Sequence, residues 1–206
     1  MKRGAKTQQR IFTVLFMLII TLVFISVTTV LYTLTKDTIK LNESLRVRKA
    51  VLYSGGVPLP ENPKEIEKIY EKRVREIKDN QGATLYYEVL EPGSSAVESY
   101  VLIIDGPGLW GAITAAVGYD SSLQRLTGFE VIDQNETPGL GGRISETWFK
   151  NQFRGKKPPL SLVPEGTSAN DNQFQAITGA SYSSNGVKDI INSSSQDARK
   201  IVKLKQ

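Results

Sequence analysis

Residues 11–34 read IFTVLFMLIITLVFISVTTVLYTL, 24 consecutive positions with no charge, no proline and no glycine. An α-helix rises 1.5 Å per residue, so ~20 residues cross the ~30 Å hydrocarbon core of a bilayer, and this run can do so with some tilt. A cleaved secretory signal has a shorter apolar core, about 7–15 residues, followed by a small-x-small cleavage site. Here the run is longer, and the next alanine is Ala50. The sequence therefore predicts an uncleaved transmembrane helix over 11–34, a tail at 1–10 before it and a single exported domain over 37–206 behind it.

Charge sets the direction of that helix. Lys2, Arg3, Lys6 and Arg10 precede it, whereas behind it Lys36 is followed at once by Asp37. The positive-inside rule then puts the N-terminus in the cytoplasm and the C-terminal domain on the extracytoplasmic, periplasmic side of the cell (inner) membrane. The formal net charge of +5 lies wholly within residues 1–36, and the other 170 residues carry 21 bases and 21 acids. A body without basic excess gives no reason to expect nucleic acid as a partner. The chain also lacks His and Cys. That excludes Cys/His zinc sites, iron–sulfur clusters, His- or Cys-ligated haem, a Ser-His-Asp triad, a thiol nucleophile, disulfides and a lipoprotein anchor. No metal site is expected.

The exported part is long enough to bury a core without staples. Residues 38–53 are expected to continue as helix until Gly55, Gly56, Pro58 and Pro60 stop it. ENPKEIEKIYEKRVREIKD (61–79) reads as an amphipathic helix with Asn62 as N-cap, Pro63 at the first position and Ile66, Ile69, Tyr70, Val74 and Ile77 on one face. Four runs then carry a β pattern, 84–91, 99–105, 112–120 and 126–134, and predict an antiparallel meander. ISETWFKNQF (144–153) and a long segment from about Ser183 read as helices, the latter with Val187, Ile190, Ile191, Ser194, Ala198, Ile201 and Val202 in one stripe. The fold class expected is α+β, a largely antiparallel sheet flanked by helices behind one N-terminal transmembrane helix.

Three segments hold residues that core packing does not require. DGPGLWGA (105–112) surrounds Leu109 and Trp110 with glycines; it is either a plain strand connection with an aromatic plug or a means of laying an indole on a flat ring. QNETPGLGGR (134–143) puts Pro138 and Gly139 where a type II turn wants them, and Gly141 and Gly142 allow close backbone approach. Glu136 and Thr137 add an acceptor and a donor beside that turn. QAITGASYSSNGVKDII (175–191) places Thr178, Ser181, Tyr182, Ser183 and Ser184 within seven residues ahead of a helix. Such a start is an anion site suited to phosphate, or simply a helix capped by Ser183 or Ser184. No Walker loop and no Gly-x-Ser-x-Gly elbow is present.

In this order behind one anchor, the segments resemble the FMN-binding subunits of ion-translocating electron-transport complexes, whose branches are the G subunit of the Rnf complex and the C subunit of the Na+-translocating NADH:quinone reductase. The resemblance rests on Glu136-Thr137-Pro138-Gly139-Leu140-Gly141 and on Thr178-Gly179-Ala180-Ser181. Gly108-Leu109-Trp110 and Ser184-Asn185-Gly186-Val187 are similar to the quinone-reductase branch, and the chain length to the Rnf branch. Two positions depart from the family pattern: the attachment residue is Ser181 where the family has Thr, and Gln175 stands where an Asp is usual, with Asp171 nearby.

The resemblance implies FMN held covalently through its phosphate on Ser181. Thr178, Gly179, Ala180, Ser183 and Ser184, with amides at 183–186, would lie around the phosphate; Glu136, Thr137, Gly139, Leu140, Gly141, Leu109 and Trp110 would line the ring. No catalytic residue of the chain's own is implied, because the cofactor does the redox work. The function implied is a flavoprotein relay of electrons in a membrane oxidoreductase complex coupled to Na+ or H+ translocation. Its partners would be the other subunits and a flavin transferase, and it would be inactive alone. Two other readings remain: an extracytoplasmic sensor or assembly module that has lost flavin, and a domain binding a free phosphate ligand.

Overall fold

The computed structural model describes residues 2–203. They fall into two units, Met1–Ser44 and Leu45–Gln206, and helix α1 (Lys2–Ser54) contributes to both. In the first unit the stretch Arg10–Lys36 has a mean hydropathy of 2.8, and none of its most apolar window is buried by protein. Its hydroxyls turn back onto its own carbonyls: Thr21 donates to Met17 O at 2.8 Å, Ser26 to Leu22 O at 2.7 Å and Thr29 to Ile25 O at 2.7 Å. Polar groups satisfied within the helix are what an apolar solvent demands.

The second unit is built on a five-stranded antiparallel sheet: β1 (Val74–Lys78), β2 (Thr84–Leu90), β3 (Val97–Pro107), β4 (Ala112–Asp120) and β5 (Leu126–Asp133), paired in sequence order. Alternation along the strands sends side chains to two cores. Tyr100, Leu102, Ile113, Ala115, Val117 and Tyr119 belong to one, while Val101 and Ala116 belong to the other. The second core is completed by Ala50, Val51 and Leu52 at the end of α1 and by Ile66 and Tyr70 of α2 (Pro63–Arg73). A Cβ at Gly118 would collide with the Ser54 carbonyl, so glycine lets α1 lie directly on β4.

On the other face lie α3 (Thr147–Asn151) and α4 (Ser181–Lys203). Phe129, Phe149, Phe153 and Phe174 form one tilted and edge-to-face cluster with centroids 4.8–5.9 Å apart, fastening α3 and the short strand β7 (Gln173–Gln175) to the sheet. Strand β7 pairs in parallel with β6 (Ser161–Val163). Helix α4 packs along β3, with Tyr119 Oη 2.6 Å from Ser194 Oγ and donating to Ile191 O at 3.2 Å. Two glycines set its depth: a Cβ at Gly106 would enter Ile190, and one at Gly186 would meet the Pro107 carbonyl. This close approach brings the start of α4 to the loop that joins β3 and β4.

The α+β class, the single N-terminal apolar helix and the four expected strands are present. Asn62 caps α2 through Lys64 N–H at 3.0 Å, and Pro63 opens it. Three expectations require correction. Residues 61–79 are not one helix: α2 ends at Arg73, and 74–78 form edge strand β1, Val74 opposite Val89 and Ile77 opposite Tyr86. Val74 and Ile77, three apart, would share one face of a helix but fall on opposite faces of a strand, and here they pack against the second and the first core respectively; pairing with β2 decides it. The segment 144–153 is shorter than expected, a 3-10 turn over Gly141–Ser145 followed by α3. The C-terminal helix starts two residues earlier, at Ser181.

Phe153 is fully buried in the aromatic cluster. Phe153→Ala is expected to cost about 3–5 kcal/mol of folding stability, read as a lower urea midpoint for the detergent-solubilised chain.

Candidate functional site

The start of α4 meets two loops. One joins β3 to β4 and carries Leu109 and Trp110; the other follows β5 and runs from Gln134 to Arg143. Within the second, Leu140 N–H donates to Thr137 O at 3.1 Å and Gly139 has φ +75°, the type II turn expected from Pro138-Gly139. The fastening of all three is the carboxylate of Glu136, only 5% exposed. It accepts Trp110 N–H at 3.0 Å through Oε1 and the Ser183 hydroxyl through Oε2. Gly108 and Gly141 make room for it: a Cβ on either would lie 2.6 Å from a carboxylate oxygen of Glu136. Trp110 is tied a second time, its indole N–H donating to Thr137 Oγ1 at 3.1 Å.

A small cavity of about 80 Å³ opens there, lined by Leu109, Glu136, Thr137, Leu140, Gly141, Gly179, Ala180, Ser181, Tyr182 and Ser183. A larger one of about 470 Å³ lies between β6, the Ala176–Gly179 segment and α4, and its lining includes Glu165, Thr178, Gly179, Ser181 and Asn185. Ser181 belongs to both walls. Around it the surface is apolar: Leu109, Trp110, Leu140 and Tyr182 are 46–68% exposed, and among the described residues 45–203 the only other exposed large apolar side chain is Leu59. Clustered apolar exposure of this kind marks a binding surface.

Ser181 is the first residue of α4. Ala180 O accepts the first helical bond, from Ser184 N–H at 3.1 Å, and the amides of 181–183 make no hydrogen bond within the described residues. The unbonded amides are therefore these three, beginning two residues before the expected 183–186, because Ser184 N–H is consumed inside the helix. Ser184 itself is buried behind the turn, its hydroxyl accepting Ile177 N–H at 3.0 Å and donating to Ala180 O at 3.0 Å, and it lines neither cavity. Ser183 is committed to Glu136. Neither serine forms the N-cap that the sequence allowed. Gly179 takes φ +79°, with Leu140 against it.

Glu165 was not legible as a site residue. It sits on the loop between β6 and β7, accepts Thr178 N–H at 2.7 Å, and pairs with Arg143 at 2.8 Å. The Arg143 hydrogen bond, and after it the Thr178 amide, hold its carboxyl down at about 2. Gln175 supports that loop from below, accepting Gly166 N–H at 2.9 Å and donating to Thr167 O at 2.8 Å. Asp171 pairs with Arg125 at 3.0 Å and lines neither cavity. Among the described residues no group of acidic, His or Cys side chains is arranged to hold a metal ion.

An exposed hydroxyl on the first turn of a 23-residue helix, beside free amides and an apolar shelf, suits a phosphorylated aromatic ligand. Residues 108–196 match the family model of the FMN-binding domain. That span takes in all three motif segments except the first residues of the 105–112 loop. The resemblance read from the motifs is borne out by the relatives too. Over 104 residues the chain is 34% identical to the C subunit of the Na+-translocating NADH-quinone reductase of Yersinia pestis, covering 47% of this chain and 39% of that protein. It is 33% identical over 115 residues to the G subunit of the ion-translocating oxidoreductase complex of Methanosarcina acetivorans, covering 56% and 58%. With the G subunit of the Na+-translocating ferredoxin:NAD+ oxidoreductase complex of Acetobacterium woodii it shares 32% over 138 residues, 66% and 57%. The match thus spans two fifths to three fifths of these relatives. The fold is that of the C subunit of the Na+-translocating NADH-quinone reductase from Parabacteroides distasonis, at 24% identity and a TM-score of 0.64 over 80% of this chain and 95% of that one. NqrC of Shewanella oneidensis gives 18% and 0.67 over 74% and 91%.

A carboxyl whose pKa is lower folded than unfolded stabilises the protein above its ordinary value of 4.5 and loses that contribution as pH falls toward about 2. Melting followed by circular dichroism should therefore show wild type above Glu165→Gln at near-neutral pH, with the gap closing across that interval.

Proposed function

We propose that the chain is a membrane-anchored flavoprotein subunit that carries FMN as a phosphodiester on Ser181 and relays electrons within a multisubunit, ion-translocating oxidoreductase complex. The observation that carries this reading is the position of the Ser181 hydroxyl: first residue of α4, exposed, on the wall shared by both cavities and beside three unbonded amides. A phosphodiester there would keep one negative charge at the positive end of the helix macrodipole. The ring would be shielded by Leu109, Trp110, Leu140 and Tyr182, and Gly179 and Gly141 would let it approach the backbone. Bound FMN supplies the redox chemistry that a chain without His or Cys does not provide itself.

Loading needs an activated donor, such as a flavin dinucleotide, and a flavin transferase. A bond forms between Ser181 Oγ and the flavin-side phosphorus, the phosphoanhydride P–O bond breaks, and the nucleoside monophosphate leaves with the electron pair; the hydroxyl proton passes to a base of the transferase. Serine and threonine serve this step alike. Both partner branches, Rnf-like and quinone-reductase-like, are supported by the relatives' names, and activity is expected only within the assembled complex.

Coexpression with a flavin transferase should give a chain whose mass exceeds the apoprotein by one FMN residue and whose yellow colour survives denaturation. Ser181→Ala should abolish the label and Ser181→Thr keep it. Absence of label from wild type would sink the covalent reading.

The absence of cysteine offers a direct test of topology. We assign residues 1–10 to the cytoplasm, 11–34 to the membrane and 37–206 to the extracytoplasmic side, on the strength of the flanking charges. One Cys introduced at exposed Ser122 should react with a membrane-impermeant maleimide on intact cells, and one at Ala5 should react only after lysis. The reverse pattern would refute the orientation.

A further inference from the structure

Ser181 borders two cavities, one lined by Glu136 and the other by Glu165. Glu136 joins the 108–111 loop to Ser183 from one side; Glu165 joins Arg143, the last residue of the glycine-rich loop, to Thr178 from the other. Its geometry is specific. One carboxylate oxygen takes Arg143 Nη2 at 2.8 Å, and the other takes Thr178 N–H at 2.7 Å and lies 3.4 Å from Arg143 Nη1. Arg143 is held in turn, its guanidinium 5.3 Å over the Trp148 ring and its Nε 3.5 Å from Glu146. Behind Glu165, the two-way bond of Gln175 to Gly166 and Thr167 fixes the loop that delivers the carboxylate.

What Glu165 grips is the turn that presents the hydroxyl. Ala180 N–H donates to Ile177 O at 3.0 Å and Gly179 adopts a left-handed φ of +79°, so Thr178–Ala180 is a tight turn leading straight into α4. Such a turn has few contacts of its own: Thr178 and Gly179 are exposed, and only Ala180 is buried. Without an acceptor for Thr178 N–H, the turn is free to sample other conformations and Ser181 Oγ loses its fixed direction.

We propose that Glu165 is a positioning residue for attachment at Ser181: its carboxylate, braced by Arg143, locks the Thr178–Ala180 turn so that the hydroxyl stands out between the two cavities. This rests on Ser181 being the point of FMN attachment. The ion pair and the amide bond have separable parts in it, since the pair braces the carboxylate while the amide bond holds the turn.

The test is the rate of FMN incorporation into the full-length chain, followed by intact mass with a flavin transferase and flavin adenine dinucleotide as donor. Glu165→Ala should slow loading by on the order of tenfold to a hundredfold, the effect of a small misplacement of a reacting group. Glu165→Gln keeps an acceptor for Thr178 N–H and should lose less. The charge-swapped double variant Glu165→Arg with Arg143→Glu restores an ion pair but offers Thr178 no acceptor, so it should stay as slow as Glu165→Ala. A merely structural ion pair predicts rescue by the swap instead. Hydrogen exchange at the Thr178 amide should quicken in Glu165→Ala and in the swap, but not in Glu165→Gln. Loading of Glu165→Ala at the wild-type rate, or rescue by the swap, would overturn the proposal; where Glu165→Ala does not fold, the order of Glu165→Gln and the swap decides. If wild type takes no FMN at all, the attachment reading itself falls, and this inference with it.

Discussion

The buried carboxylate of Glu136 is the contact on which the site depends. An ionised group removed from water is costly unless its oxygens are occupied by donors. Here both are occupied, by donors from two places distant in sequence, Trp110 N–H and the Ser183 hydroxyl. Satisfying one side chain therefore requires the β3–β4 loop, the loop after β5 and the first turn of α4 to converge. Gly108 and Gly141 belong to the same requirement, since any side chain at either would occupy the space of the carboxylate. Motifs that look independent along the chain are one constraint in space.

The sheet makes this convergence possible by fixing α4 through contacts outside the site, and Glu136 then fastens the loops to its first turn. Helix α4 is fixed to the sheet by Val187, Ile190, Ile191 and Ala198 in the shared core and by Ser194 on Tyr119 of β4, and Gly106 and Gly186 set how closely it lies. Its N-terminus is therefore delivered to the β3–β4 loop by packing energy spent elsewhere. Ser181 and Tyr182 at the start of the helix are left exposed, as binding surfaces on rigid scaffolds generally are. That Leu109, Trp110, Leu140 and Tyr182 remain uncovered in a domain that buries nearly every other large apolar group is a consequence of that division.

Legibility from the sequence followed the range of the forces involved. Strands β2 to β5, the capped start of α2 and the Pro138-Gly139 turn are set by local alternation, by Asn62 and Pro63, and by one left-handed glycine, and all three were readable. Strand β1 was not, because the i, i+3 spacing of Val74 and Ile77 reads as one helical face, whereas cross-strand pairing with Val89 and Tyr86 selects the extended form and sends the two to different cores. At the site, the Glu-Thr-Pro-Gly-Leu-Gly and Thr-Gly-Ala-Ser segments signalled a place but not its wiring. Serines 183 and 184 look interchangeable as helix caps, yet one serves Glu136 and the other the Ile177–Ala180 turn. Glu165 had no signal at all: it lies in an ordinary-looking VPEGTS loop, and its role arises from a parallel strand pair only three residues long on each side.

Two carboxylates near Ser181 would repel a phosphodiester if their charges were open to it. Both charges are already answered: Glu136 by a backbone N–H and a hydroxyl within the protein, Glu165 by the guanidinium of Arg143 and the Thr178 amide. What surrounds Ser181 is instead the unbonded amides of 181–183 and the positive end of a long helix. No lysine or arginine lines either cavity. The arrangement thus favours an anion through oriented dipoles rather than through a mobile cation. Dipoles fixed by a packed helix do not reorganise as charge on a neighbouring ring changes, which is what the proposed electron relay would require of its surroundings.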